Sequence, residues 1–279
     1  MKLRLSSATL DLSRPIVMGI LNVTPDSFSD GGRFDRFDAA IRHAERMAAE
    51  GAAIIDVGGE STRPGADAVP AAKEIERVVP LIEAIAARTG VPLSVDTSKP
   101  EVMQAAVAAG AVMLNDVYAL RRDGALAMAA SLDVAVCLMH MQGEPRTMQA
   151  DPRYDDVAGE VADFLSRRVV ACVAAGMERS RIAVDPGFGF GKTDRHNVEL
   201  LSNLQRIQAL GLPLLVGLSR KNTLGKLTGQ PVEGRLAAGI AAAVLAVERG
   251  AHIVRTHDVR ATLDALNVAT AIMRAGDDL

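Results

Sequence analysis

The chain has 279 residues, a length that suits either one α/β barrel or two smaller domains. Hydrophobic residues make up 49% of the sequence and charged residues 23%, which excludes a disordered or collagen-like chain. The aromatic content of 3% is too low for the core of a typical β-sandwich. The net charge of -3 provides no basic surface for nucleic acid. Binding of a small anion at a local site is compatible with both values.

The two cysteines, Cys137 and Cys172, lie in apolar segments without a CxxC pattern or a histidine cluster, so we expect reduced thiols in the core. Residues 1–14 contain no apolar stretch of signal-peptide length, and no segment approaches the roughly 18 uncharged residues of a membrane span. These features predict a cytoplasmic protein without a membrane partner.

Eight short apolar runs have the length of buried β-strands, and segments with helical spacing separate them. The predicted strands are residues 16–21, 54–57, 92–95, 111–114, 134–139, 182–184, 214–216 and 253–254. The predicted helices are residues 39–50, 73–89, 102–109, 124–131, 157–175, 198–210, 235–249 and 261–273. Continuous apolar strands are typical of parallel sheets covered by helices on both faces. The segment 235–247 is nearly apolar all round, which permits either a subunit contact or close packing between neighbouring helices.

Nearly every predicted strand is followed at once by polar residues, among them Asn22, Asp96, Asn115 and Asp185. In an open doubly wound sheet only the strands beside the switch point face a ligand, whereas in a closed ring all eight carboxyl ends converge. We therefore predict a single-domain (β/α)8 TIM barrel over residues 1–279, with the active site at the C-terminal ends of the strands. Taken singly, each Asn or Asp can instead cap a helix or a turn.

Two long loops follow the first and second predicted strands. Residues 22–32 are rich in Gly, Ser and Asp, which indicates a lid. Asn22 at the strand tip can offer an oxygen to Mg²⁺ beside phosphate oxygens, or it can cap a turn. Residues 58–66 combine glycines, hydroxyls and Arg63, a pattern that suits an anion clamp but is also common on protein surfaces.

Asp96, Asn115, Asp185 and Lys221 follow four different predicted strands. The set lacks the histidines that a zinc site prefers, but it suits a flat heterocycle. Carboxylates accept from N–H groups, Asn donates and accepts, and Lys donates to a carbonyl or ring nitrogen. Alternatively, Asp96 and Lys221 form a structural ion pair.

The segment 186–193 ends like a phosphate-binding P-loop, but Pro186 occupies the place of its first glycine. Its glycines are therefore predicted to let Phe190 and the backbone approach a flat ligand. Arg255 and His257 follow the eighth strand, where barrels often bind phosphate. They are predicted to form a phosphate-binding group together with Asn22 and Arg63.

Several long segments resemble the dihydropteroate synthase family, in the family's order and over essentially the full length. The matching segments are residues 22–30, 56–64, 96–97, 115–117, 139–141, 185–192, 219–221 and 255–258. Tyr118 stands where small residues are common in the family, outside the positions that carry chemistry. So many long motifs in one order make coincidence a poor explanation.

The resemblance implies a transferase that condenses 6-hydroxymethyl-7,8-dihydropterin diphosphate with 4-aminobenzoate, giving 7,8-dihydropteroate and diphosphate in folate biosynthesis. It implies pterin contacts from Asp96, Asn115, Asp185 and Lys221, diphosphate contacts from Asn22, Arg63, Arg255 and His257, and 4-aminobenzoate contacts from Thr62, Pro64, Phe190 and Ser219. Asn22 is then the ligand of an Mg²⁺ cofactor, and Asp96, Lys221 and Arg255 are the predicted catalytic residues. The family is generally homodimeric, and sulfonamides mimic its 4-aminobenzoate.

Two other functions are compatible with a pterin-binding barrel. A non-catalytic relative would keep Asn115 and Asp185 but lose the diphosphate contacts, which this sequence retains. A methyltransferase barrel, which carries a methyl group from a reduced folate to a corrinoid, would bind pterin without a diphosphate clamp.

Overall fold

The structure is a computed structural model and describes residues 1–6, 8–23, 33–61, 65 and 68–277. Two short strands, β1 (Lys2–Arg4) and β2 (Thr9–Asp11), form an antiparallel hairpin, and eight further strands form one parallel sheet. The eight are β3 (Ile16–Asn22), β4 (Ile54–Gly58), β5 (Leu93–Asp96), β6 (Met113–Asp116), β7 (Ala135–Met139), β8 (Ile182–Asp185), β9 (Leu215–Val216) and β10 (Ile253–Thr256).

The parallel sheet closes into a ring. Its strands pair in the order β8-β7-β6-β5-β4-β3-β10-β9, and a parallel bridge between Val184 and Leu214 joins the two end strands. All eight predicted strands are present, with ends shifted by at most two residues. The closed ring confirms the predicted (β/α)8 barrel.

Helices surround the ring on its outer face. In the described part of the chain they are α1 (Arg33–Ala49), α2 (Ala71–Ala86), α3 (Pro100–Ala108), α4 (Ala125–Ser131), α5 (Val157–Ala174), α6 (Asp194–Ser202), α7 (Gln205–Gln208), α8 (Asn222–Thr228), α9 (Leu236–Glu248) and α10 (Val259–Asp277). The single helix predicted over residues 198–210 is two, α6 and α7, and the short α8 was not predicted. Gly225 and two threonines give α8 a low intrinsic helix propensity. No helix among the described residues has the length and apolar character needed to cross a membrane.

The strands are buried on both faces, which explains their continuous apolar sequences. One cluster of buried side chains, including Val17, Val57 and Val136, packs between the ring and the helices. A second cluster, including Met18 and Ile54, fills the amino-terminal end of the barrel interior. Both predicted core thiols, Cys137 and Cys172, are confirmed as free and buried.

The hairpin of β1 and β2 was not predicted. Leu3, Leu5 and Leu12 from this segment are buried in the same cluster as Met18 and Ile253, which lie near the starts of their strands. The hairpin thus closes the amino-terminal opening of the barrel. The carboxyl ends of the strands, where the polar residues lie, form the opposite rim.

Candidate active site at the carboxyl ends of the strands

Asp56 lies at the centre of a hydrogen-bond network that joins four strands. Its Oδ2 accepts from the side-chain amide of Asn115 at 2.9 Å and from Arg255 Nε at 2.6 Å. Arg255 also donates from Nη2 to Asp96 Oδ2 at 2.9 Å. The strand register produces this convergence: Gly58, Asp96 and Asn115 are cross-strand partners, and Asp56 lies two residues before Gly58, on the same face.

The charges in this network are held away from solvent. Burial raises the pKa of Asp96 well above its ordinary value. The positive charge of Arg255 lowers this pKa and the negative charge of Asp56 raises it further, but burial has the largest effect. Burial lowers the pKa of Arg255, but the charges of Asp56 and Asp96 outweigh this and raise it above its usual range. Asp56 is fully buried, and its Oδ1 has no hydrogen-bond partner among the described residues. Because buried polar atoms are normally paired, a donor from a ligand or water fits at this oxygen.

Asp185, at the end of β8, belongs to the same rim. Burial raises the pKa of Asp185 to about 6, while the backbone N–H of Gly187 and the charges of Lys221, Arg255 and Lys192 lower it. The Gly187 N–H donates to Asp185 Oδ1 at 2.7 Å. The charges of Lys221 and Arg255 both lower the pKa of the Asp185 carboxyl. The structure therefore brings these three predicted residues to the same rim.

The loop after β8 carries Phe190 over Lys221. The Lys221 ammonium lies 4.3 Å from the centroid of the Phe190 ring, within the range of a cation–π contact. Gly187 has a φ of 69°, and a side chain there would overlap the carbonyl oxygen of His140 at the end of β7. Glycine therefore lets this loop pack closely against its neighbour and present Phe190 at the rim.

Lys192 is buried beneath the same loop, with 2% of the residue exposed. Its Nζ donates to the carbonyl oxygens of Gly187 at 2.9 Å and Phe190 at 3.0 Å, and lies 2.9 Å from His140 Nδ1. Burial lowers the pKa of Lys192 to about 7, although the charge of Asp185 raises it. Burial also lowers the pKa of His140 well below its usual range, so the neutral imidazole accepts from the ammonium.

Two further parts of the predicted site lie at the ends of β3, β9 and β10. Ser219 Oγ is 3.0 Å from His257 Nδ1, and the backbone N–H of His257 donates to the same hydroxyl at 3.3 Å. A Cβ at Gly58 would lie 3.3 Å from Asn22 Oδ1 and 3.9 Å from Asp96 Oδ2. Both oxygens therefore flank the end of β4.

Thr62, Arg63 and Pro64 lie outside the described residues, as does most of the predicted lid after β3. The base of the second loop is described. Glu60 Oε1 accepts from the backbone N–H of Val69 at 2.8 Å, and Lys99 donates to Glu60 Oε2 at 2.6 Å. These contacts join the two ends of the loop beside β5.

A cavity of about 630 Å³ opens on the rim beyond β5, β6 and β7. Its lining includes three basic side chains, Lys99, Arg121 and Arg122, and three acidic ones, Glu101, Asp123 and Glu144. The opposite charges balance, and the cavity does not include the carboxylates of the central network. We therefore place the candidate active site at the network and not at this cavity.

Comparison with known proteins identifies the family. Residues 18–257 match the family model described as pterin binding enzyme. The chain is 50% identical over 278 residues to the dihydropteroate synthase of Escherichia coli strain K12, with 100% of this chain and 99% of that protein covered. The chain belongs to the dihydropteroate synthase family of pterin-binding enzymes. The resemblance identified from the sequence motifs is confirmed.

Solved structures of dihydropteroate synthases have the same barrel. The Yersinia pestis enzyme, in a sulfonamide drug complex, has a TM-score of 0.94 and 49% identity, and the match covers 98% of this chain and 100% of that chain. The Xanthomonas albilineans enzyme with 4-aminobenzoic acid has a TM-score of 0.92 and 54% identity, with 98% of each chain covered.

Two residues of the site in this dihydropteroate synthase family member, Asp56 and Lys192, were not predicted as site residues from the sequence. Asp56 lies inside the apolar run of β4 and not after it, but a charged residue within a fully buried strand is itself a signal that could have identified it. Lys192 lies in the P-loop-like ending of residues 186–193, which predicts no role for it in the site. Nothing local in the sequence indicates that its partners are carbonyl groups of the preceding loop.

Proposed function

We propose that this rim catalyses the condensation of 6-hydroxymethyl-7,8-dihydropterin diphosphate with 4-aminobenzoate, giving 7,8-dihydropteroate and diphosphate. The protein is then a transferase of folate biosynthesis. The observation that carries the proposal is the convergence of Asp56, Asp96, Asn115 and Arg255 in a chain half identical to a dihydropteroate synthase over its full length.

In this proposal the pterin ring binds to Asp96, Asn115, Asp185 and Lys221. Ring N–H and amino groups donate to the carboxylates, the Asn115 amide donates and accepts, and Lys221 donates to a carbonyl or ring nitrogen. Burial of Asn115 and Asp185 supports these roles, because hydrogen bonds are electrostatically stronger away from water.

The diphosphate and Mg²⁺ are assigned to the side of the rim that holds Asn22. Diphosphate contacts come from Asn22, Arg63, Arg255 and His257. The side-chain oxygen of Asn22 beside Gly58 is a hard donor that fits Mg²⁺, an ion that commonly keeps waters and takes phosphate oxygens as its other ligands. When bound, Mg²⁺ supplies positive charge beside the diphosphate.

The 4-aminobenzoate is assigned to Phe190 and Ser219, together with Thr62 and Pro64 from the second loop. The 54% identity to the enzyme that binds 4-aminobenzoic acid supports the same substrate here. The sulfonamide drug complex of the Yersinia pestis enzyme supports inhibition of this protein by sulfonamides.

The reaction forms a C–N bond from the arylamine nitrogen to the pterin methylene carbon and breaks the C–O bond to the diphosphate, with release of one amine proton. Negative charge accumulates on the departing diphosphate, where the fixed guanidinium of Arg255 stabilises it. Asp96 has the right charge to stabilise cationic character on the pterin, and Lys221 holds the ring. The arylamine is a competent nucleophile once it is held beside the carbon, so we assign no general base.

The experiment is an assay of diphosphate release from the pterin diphosphate, with and without 4-aminobenzoate. We expect release that requires 4-aminobenzoate and matches the 7,8-dihydropteroate formed. Pterin binding without any diphosphate release would contradict the proposal and favour a non-catalytic pterin-binding protein. Equal release without 4-aminobenzoate would indicate hydrolysis.

We also infer a homodimer in the cytoplasm. Apolar side chains are exposed on two adjacent helices, Leu236 and Leu245 on α9 and Val268 and Ile272 on α10, and apolar surface of this kind supports a subunit contact. The two free thiols suit a reducing compartment.

A further inference from the structure

We propose that Lys192 is a positioning residue for the arylamine half of the reaction. Its ammonium holds the loop after β8 in the shape that places the Phe190 ring over Lys221. The inference rests on the proposed function, because it takes Phe190 as part of the 4-aminobenzoate site.

The hydrogen bonds of Lys192 stabilise its protonated form at a site where burial lowers the pKa to about 7. An ammonium has three N–H donors and no acceptor, and three acceptors surround it: Gly187 O at 2.9 Å, Phe190 O at 3.0 Å and His140 Nδ1 at 2.9 Å. Burial of a charge is costly unless its hydrogen bonds are satisfied. All three acceptors are neutral, and two of them are carbonyls of the single turn that bears Phe190.

Several other hydrogen bonds also shape that turn, including those from the Gly187 N–H to Asp185 Oδ1 at 2.7 Å and from Tyr154 to Gly191 O at 2.7 Å. The Phe190 N–H donates to Gly187 O at 3.1 Å, so Gly187 O serves both the turn and Lys192. Side chains outside the turn hold its glycines: Gln149 donates to Gly189 O at 2.6 Å, and Asn197 accepts from the Gly189 N–H at 2.8 Å. Lys192 joins the two ends of the turn, because its ammonium donates to both Gly187 O and Phe190 O.

Loss of Lys192 is expected to weaken the binding of 4-aminobenzoate more than the binding of the pterin diphosphate. Asp185, a proposed pterin contact, belongs to β8 and is held by the strand ladder, since its carbonyl accepts from the His140 N–H at 2.9 Å. Phe190 lies on the turn outside the strand ladder, where its N–H donates to Gly187 O at 3.1 Å and its side chain packs against the cluster that contains Met139 and Met141. Loss of the ammonium should therefore displace the Phe190 ring more than the strand-borne Asp185, although the pKa of Asp185 also rises when the charge of Lys192 is lost.

The experiment is steady-state kinetics of Lys192→Met. We expect the KM for 4-aminobenzoate to rise about tenfold, while the Kd of the pterin diphosphate alone, measured by calorimetry, changes less than about threefold. The matched control is Lys226→Met, which removes an exposed lysine of α8 that pairs with Asp194 at 2.7 Å. This variant should keep wild-type values.

A double-mutant cycle separates positioning from general loosening of the fold. If Lys192 acts through the Phe190 ring, Lys192→Met adds little to the KM of Phe190→Ala. Multiplicative effects of the two substitutions, or an equal loss of affinity for both substrates, would overturn the inference.

Should Lys192→Met fail to fold, His140→Gln takes its place, because it alters one of the three acceptors and leaves the lysine present. We expect a smaller rise in the KM for 4-aminobenzoate, and an unchanged KM would overturn the inference. In all cases the wild-type assay separates the two proposals. An inactive wild type contradicts the synthase function, whereas an active wild type with an unaffected variant contradicts only the role of Lys192.

Discussion

Asp56 holds Arg255 and Asn115 in place through a single carboxylate oxygen. We predict that Asp56→Asn lowers kcat/KM by about 2 to 5 kcal/mol of transition-state stabilisation, the usual cost of losing one partner of a buried charged pair. The substitution keeps the size of the side chain but removes the charge opposite Arg255. The measurement is kcat/KM for both substrates.

The matched control for Asp56 is Asp133→Asn. Asp133 pairs with Arg4 at 2.6 Å on the exposed surface, where ion pairs contribute little. A wild-type kcat/KM in Asp56→Asn would mean that Arg255 needs no carboxylate at position 56 and would remove Asp56 from the site.

The raised pKa of Asp185 predicts opposite pH effects on binding and on stability. The carboxylate must be ionised to accept from ring N–H groups, so affinity for 6-hydroxymethylpterin should fall as the pH drops through about 6. The folded protein binds this proton more tightly than the unfolded chain does. Between about pH 6 and the ordinary pKa of 3.8, the contribution of Asp185 to the free energy of unfolding therefore rises as the pH falls.

Calorimetry with 6-hydroxymethylpterin tests the binding effect, because this ligand has no diphosphate that titrates in the same range. Asp185→Asn should bind more weakly and lose the inflection near pH 6. Burial also raises the pKa of Asp116 to about 6, although its carboxylate accepts from backbone N–H groups of Tyr118 and Leu120. An inflection that persists in Asp185→Asn would belong to another buried group with a shifted pKa, such as Asp116, Asp96 or Lys192, and contradict the assignment.

At the scale of elements, the strands were predictable and the hairpin was not. All five residues of β7 are buried, so its apolar run is visible in the sequence alone. β1 and β2 have three residues each, too few for an alternating pattern. Their apolar residues are buried only because the barrel opening lies beneath them.

The same contrast explains which site residues the sequence reveals. Asp96 and Asp185 end their strands and Asn115 is the next-to-last residue of its strand, where parallel topology brings polar groups to one rim. Asp56 lies two residues before the end of β4, and the strand register places its side chain on the same face as the rim residues. The bonds of Lys192 to loop carbonyls depend on the folded path of that loop. Local pattern thus identifies the rim, while register and loop path determine how its side chains pair.

At the scale of the whole molecule, the two ends of the barrel are chemically different. The amino-terminal end is closed by apolar residues of the hairpin, while the charged residues of the site lie at the carboxyl end. Exposed apolar side chains lie on the outer helices α9 and α10, so the proposed subunit contact belongs on the side of the barrel.

The exposed apolar residues of α10 give the dimer proposal a direct test. Val268 and Ile272 are 61% and 69% exposed and lie one helical turn apart on the same face. A charge buried at an apolar contact is costly, so Ile272→Glu should convert a dimer to a monomer in sedimentation measurements. Val170→Glu on α5 is the matched control, because Val170 is 65% exposed on a different helix. A monomeric wild type, or equal dissociation by both variants, would contradict a contact through α10.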